Sequence, residues 1–179
     1  ELKVKSLVNY LTQDLNFDQL TRLEKFVQLM IERKMRGEEF KKMVARRYED
    51  GGVGVTEALA AVMAEKITRI LEHAEDVRRY RRRFENNVFF DSEEELINRL
   101  TSYVLEEYSG EMRPAQMRRL KEIVRERISG LLRKEEFLAK LDAPLEEGGA
   151  GLRRQTAQNI TNYFEKIIIQ GIEAHGAGH

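Results

Sequence analysis

The sequence predicts an all-α protein: two tandem copies of a roughly four-helix unit, packed with pseudo-two-fold symmetry. Three observations predict it. Only two prolines, Pro114 and Pro144, interrupt 179 residues rich in Glu, Arg, Leu and Ala, which are strong helix formers. Apolar residues recur at i, i+3, i+4 and i+7 rather than in strict alternation. Sliding the chain along itself by 97 residues brings Leu23 onto Leu120, Val27 onto Val124 and Ile31 onto Ile128. The same offset brings Glu38-Glu39-Phe40 onto Glu135-Glu136-Phe137, and Gly51, Gly52 and Gly54 onto Gly148, Gly149 and Gly151.

The first helix is expected over 3–15, where Val4, Leu7, Val8, Leu11 and Leu15 share a face, and its counterpart over 92–108. "SLVNYLT" at 6–12 resembles "ELINRLT" at 95–101 at a shorter offset, so the second copy carries an insertion, placed in "EEYSGEMRP". The second helix is expected over 18–36 with Asp18 as N-cap, and again over 114–132 with Pro114 in its first turn, where a missing N–H costs nothing. A short third helix covers 38–48 and 134–142. The glycine phrase follows, as "YEDGGVGVTEAL" from Tyr48 and "LEEGGAGLRRQT" from Leu145. The fourth helix runs over 56–84, capped by Thr56, and over 152–172.

Repeat 1 therefore spans 1–86, with a helical extension at 74–86. Residues 87–91 form a linker in which Val88, Phe89 and Phe90 plug between the halves, and Asp91 or Ser92 caps the next helix. Repeat 2 spans 92–174, and 175–179 form a flexible Gly-rich tail.

Composition excludes several functions. The absence of cysteine removes thiolate chemistry, disulfides and Cys-based metal sites. Lys+Arg and Asp+Glu both number 31, so the positive excess of a dedicated nucleic-acid binder is missing overall. No apolar run approaches the roughly 20 residues of a membrane span, and no targeting leader is expected, so the expected setting is the cytoplasm. His73, His175 and His179 form no ligand set with carboxylates at helical spacing, and no nucleophile–base–acid arrangement is evident. No enzyme activity, cofactor or metal is expected.

Three features carry the functional expectations. The second glycine phrase is a candidate anion site built from Gly148, Gly149, Gly151, Arg153 and Arg154, since glycines let backbone N–H groups approach an anion and the next helix adds its dipole. Against this, the first copy keeps the glycines but has Thr56 and Glu57 in place of the arginines, so the phrase reads first as a hinge with Gly51 or Gly148 in a left-handed cap. The second feature is a basic face for nucleic acid or an acidic partner: Arg78, Arg79, Arg81, Arg82 and Arg83, with Tyr80 available to stack, joined by Arg118, Lys121 and Arg125 on one helical face. Nearby acidic residues make a solvated, partly neutralised surface the simpler reading. The third is Ile169, with Ile172, as a partner or oligomer contact beside the core positions Ile167 and Ile168. The leading expectation is a non-enzymatic interaction or regulatory module with a protein partner or as a homo-oligomer. A nucleic-acid-associated accessory protein comes second, and anion or ligand binding at the glycine turns third. No membrane partner is expected.

Overall fold

The computed structural model describes residues 2–12, 14–86, 93–107 and 111–171, and among them all regular structure is helical. In chain order the helices are α1 (Leu2–Leu11), α2 (Phe17–Ile31), α3 (Gly37–Ala45), α4 (Glu57–Asn86), α5 (Glu93–Glu107), α6 (Pro114–Ile128), α7 (Lys134–Asp142) and α8 (Arg154–Gly171). Short 3₁₀ turns at Tyr48–Asp50 and Leu145–Glu147 precede α4 and α8. No helix among the described residues is long and apolar enough to cross a membrane.

The chain divides into two compact units, Glu1–Glu72 and His73–His179, with the boundary inside α4. In unit 1, α1 packs on α2 and α2 on α3. Leu7, Leu23, Val27, Phe40, Val44 and Ile67 are fully buried there. In unit 2, α5 packs on α6 and α8, α6 on α7, and α7 on α8. Its core holds Leu120, Val124, Leu141 and Ile167, and Phe137 and Phe164 with ring centroids 5.2 Å apart. Stretch 74–86, assigned from sequence to the first repeat, makes its contacts in unit 2. Asp76 accepts from Arg99 Nη2 at 2.8 Å and Nε at 3.2 Å. At the end of α8, a Cβ on Gly171 would lie 2.8 Å from the Ala74 carbonyl oxygen.

Several helix ends differ from the sequence expectation, each for a local reason. The helix starting at residue 2 stops at Leu11, short of Leu15, and the chain re-enters helix through Asn16 rather than Asp18. Asn16 has extended backbone, and its Oδ1 accepts from the Gln19 N–H at 2.9 Å. Gln19 Oε1 accepts from the Asn16 N–H at 3.1 Å, completing a capping box. Asp18 instead lies in the first turn, where a carboxylate suits the helix dipole. α2 ends at Ile31 rather than 36 because Arg33 turns left-handed (φ 60°). α6 ends at Ile128 rather than 132 because Gly130 does the same (φ 85°). α3 ends at Ala45 rather than 48, since Arg46 is extended. Thr56 caps α4 as expected, its Oγ1 accepting from the Leu59 N–H at 3.1 Å. Linker 87–91, with Val88, Phe89, Phe90 and Asp91, lies outside the described residues, as do Ser92, Ile172 and the tail.

Candidate interaction surface

The two glycine phrases fold into turns that share three glycine hydrogen bonds. In the first, the N–H groups of Gly51, Gly52 and Gly54 donate to the carbonyls of Tyr48 (3.1 Å), Arg47 (2.9 Å) and Arg46 (2.9 Å). In the second, those of Gly148, Gly149 and Gly151 donate to Leu145 (3.1 Å), Pro144 (3.0 Å) and Ala143 (2.8 Å). Gly51 and Gly148 are left-handed at φ 95° and 86°. Gly52 and Gly149 answer a different need. A Cβ there would sit 2.0 Å from the Arg46 carbonyl oxygen and 2.1 Å from that of Ala143. The candidate anion donors of the second turn are thus already engaged by the chain's own carbonyls. Arg154 pairs with Asp142 at 2.9 Å, and Arg153 is exposed.

Each turn is clamped from the preceding long helix. Gln19 Nε2 donates to the Val53 carbonyl at 2.9 Å, and Gln116 Nε2 to the Ala150 carbonyl at 2.7 Å. Unit 1 adds Arg22, whose Nη1 donates to the carbonyls of Tyr48 at 2.6 Å and Gly52 at 2.9 Å. Its guanidinium lies 3.9 Å from the Tyr48 ring centroid. The glutamines fall on one another at the same offset as the glycines, which is the sequence signal that marks them.

Beside the turns the units part company. In unit 2, Arg154 at the start of α8 bonds Asp142 at the end of α7. The matching positions in unit 1 are Glu57 and Ala45, and between α3 and α4 there opens a cavity of about 640 Å³ lined by Lys41, Lys42, Ala45, Arg46, Glu57, Ala58 and Ala61. Lys42 and Arg46 are exposed, and Lys41 lies 3.4 Å from Glu38. Next to the cavity, α4 presents Leu59 at 36% and Val62 at 46% exposure. Sequence reasoning missed this surface, because its basic and apolar residues are thinly spread along two helices.

The basic face expected from sequence is broken up by pairing. Arg78 donates to Glu75 and, at 3.3 Å, to the Gln170 carbonyl. Arg79 lies 3.8 Å from Glu75, and Arg81 donates to the Ile128 carbonyl at 3.3 Å. Lys121 and Arg125 converge on Glu94 at 3.8 and 3.0 Å. Arg118 and Arg82 are exposed, and the side chain of Arg83 lies outside the described set. Tyr80 is a correction: at 1% exposure its ring is in the core and unavailable for base stacking. Ile169 is half-buried.

Unit 2 also holds a polar cluster. His73 Nδ1 hydrogen-bonds the Tyr163 hydroxyl, and Tyr163 stacks on Tyr103 with centroids 3.7 Å apart. Nearby, hydrogen bonding to the Asp76 carboxylate raises the pKa of the Arg99 guanidinium. Among the described residues no group of three or more His, Cys, Asp or Glu is placed to hold a metal ion. No protein-family model matches the chain, and no curated protein or solved structure matches it either.

Proposed function

We propose that the chain is a non-enzymatic helical module acting through protein–protein contacts, with its docking face on unit 1. One observation carries this reading. α4 exposes Ala58, Leu59, Ala61 and Val62 where the matching positions of α8 are the exposed Gln155, Gln158 and Asn159 and the half-buried Thr156. A polar outer face is the ordinary state of a surface helix, and unit 2 has it. An apolar outer face on the matching helix is an exception that contact with a partner accounts for.

The matching of positions rests on a second part of the proposal, that the two units arose by tandem duplication. It is supported by the recurrence of the turn bonds, the glutamine clamps and the left-handed residues Arg33 and Gly130 at one offset. The basic-face alternative loses support from the burial of Tyr80 and the pairing of Arg78, Arg79, Lys121 and Arg125.

The test is to give unit 1 the outer face of unit 2, as the variant Ala58→Gln/Leu59→Thr/Ala61→Gln/Val62→Asn. Wild type and variant are compared by sedimentation and by the proteins each retains from a native extract. The expected result is self-association or a retained protein that the variant loses at unchanged melting temperature. If the variant behaves as the wild type in both assays, or if the chain binds only nucleic acid, the proposal is wrong.

A further inference from the structure

Resting on the reading that unit 1 carries the docking face, we propose that the trough between α3 and α4 receives an amphipathic helix of another protein whose carboxylates meet Lys41, Lys42 and Arg46. Three observations converge. The cavity of about 640 Å³ continues into an adjoining one of about 660 Å³ through the shared lining residues Lys41 and Ala61. Together they follow α4 from Glu57 to Glu72, a track of about 22 Å at the helical rise, which matches a helix of about four turns. The floor is shallow: Ala45, Ala58 and Ala61 carry no side chain beyond Cβ, so a helix backbone approaches closely.

Charge selects the occupant. The end of the trough near the glycine turn has Lys42 and Arg46 against one carboxylate, Glu57, with Lys41, 3.4 Å from Glu38, shared between the two ends. The far end is balanced, with Arg36, Lys41 and Arg69 against Glu38, Glu65 and Glu72. An acidic stretch is therefore favoured at the first end, and lysines there are opposed by like charge. Unit 2 shows what a closed version looks like. Ala139 and Ala143 stand where unit 1 has Lys42 and Arg46, and the Asp142–Arg154 pair spans the helices. The apolar side of the incoming helix would rest on Ala58 and Ala61, with Leu59 and Val62 at its flank.

The test uses the full chain and a fluorescein-labelled 18-residue amphipathic peptide with Leu and Ala on one face and Glu elsewhere. Its controls are a scrambled peptide, a version with Lys for Glu, polyglutamate and single-stranded DNA. The expected result is saturable binding of the acidic helix alone. It should weaken at least tenfold in Lys42→Glu/Arg46→Glu, and also in Ala45→Asp/Glu57→Arg, which installs the closing ion pair of unit 2. Absence of binding, equal binding of polyglutamate, the scrambled peptide or DNA, or insensitivity to both variants overturns the proposal. The docking-face variant also alters the trough floor at Ala58 and Ala61, so the two readings are told apart by wild-type binding of the acidic peptide and by Lys42→Glu/Arg46→Glu, which leaves the apolar face intact. A chain that loses a partner through the docking-face variant yet ignores the acidic peptide keeps its interaction face and loses only this assignment of the occupant.

Discussion

The turn before α4 and the turn before α8 are alike in backbone and unlike in what surrounds them. Both spend three glycine N–H groups on their own carbonyls, and both accept a glutamine clamp. Around one, Arg22 and Tyr48 add a cation–π contact and the adjacent trough is open. Around the other, Asp142 and Arg154 form an ion pair between the corresponding helix ends. The difference teaches which part of the glycine phrase is architectural. What recurs is the route of the chain, and what changes is the surface on either side of it. A single copy of "GGVG" invites a phosphate, but the two copies together assign the glycines to backbone geometry and move attention to the neighbouring helices.

The comparison breaks most decisively at Gly52 and Gly149. Alanine at either position drives a Cβ against a backbone carbonyl oxygen that has no side-chain freedom to yield. Each of Gly52→Ala and Gly149→Ala should cost about 3 kcal/mol, as for an overpacked buried site. The two costs should agree within experimental error in urea unfolding. Gly51→Ala meets open space and bears only the left-handed backbone, at about 1 kcal/mol. If Gly149→Ala were harmless while Gly52→Ala were not, the two turns would not be the same structure.

The entries to α2 and α6 sharpen the comparison at a smaller scale. Asn16 caps α2 through the Gln19 N–H, whereas Arg113 at the matching place makes no side-chain capping bond. Asn16→Ala should destabilise by about 1 kcal/mol, and Arg113→Asn should stabilise by a few tenths to about 1 kcal/mol. Thermal unfolding of the two variants checks both signs. A destabilising Arg113→Asn would show that α6 starts in a different backbone conformation.

The helical class, the glycine turns and the paired core positions were legible because each leaves a strong local mark: a 3.6-residue period, a residue without Cβ, or an apolar residue repeated at one offset. The ends of α1, α2 and α6 were not. They depend on which of two neighbouring polar residues takes the cap, as with Asn16 over Asp18, and on a left-handed arginine that composition does not reveal. The stacking role offered to Tyr80 was wrong because Tyr80 shares a side of α4 with Ile70 and Val77, and that narrow stripe enters the core while the arginines occupy the rest of the helix surface. The trough of unit 1 was missed for a different reason. Alanine is silent in a hydrophobic pattern, and only side-by-side reading with Gln155, Gln158 and Asp142 shows that something is left uncovered.

The finest difference between the units is electrostatic. At the start of α7, the Glu136 carboxylate accepts from the Arg133 backbone N–H and from Arg133 Nε, both at 3.1 Å, while no such capping box forms at the start of α3, where Glu39 and Arg36 stand at the matching positions. The backbone bond first, and then the guanidinium, hold the pKa of Glu136 below the ordinary glutamate value. A depressed pKa in the folded state means that the stabilisation is fully present above the unfolded pKa, near 4.3, and fades as pH falls through the lower folded value. Glu136→Gln should therefore lower the urea midpoint at pH 7 and lose that effect in acid, as pH falls through the depressed folded-state pKa. Glu39→Gln should change the midpoint less, since no capping box forms at the start of α3. Equal pH-dependent losses at both positions would mean that unit 1 has the same cap in solution, and the two units would then differ at the trough but not here.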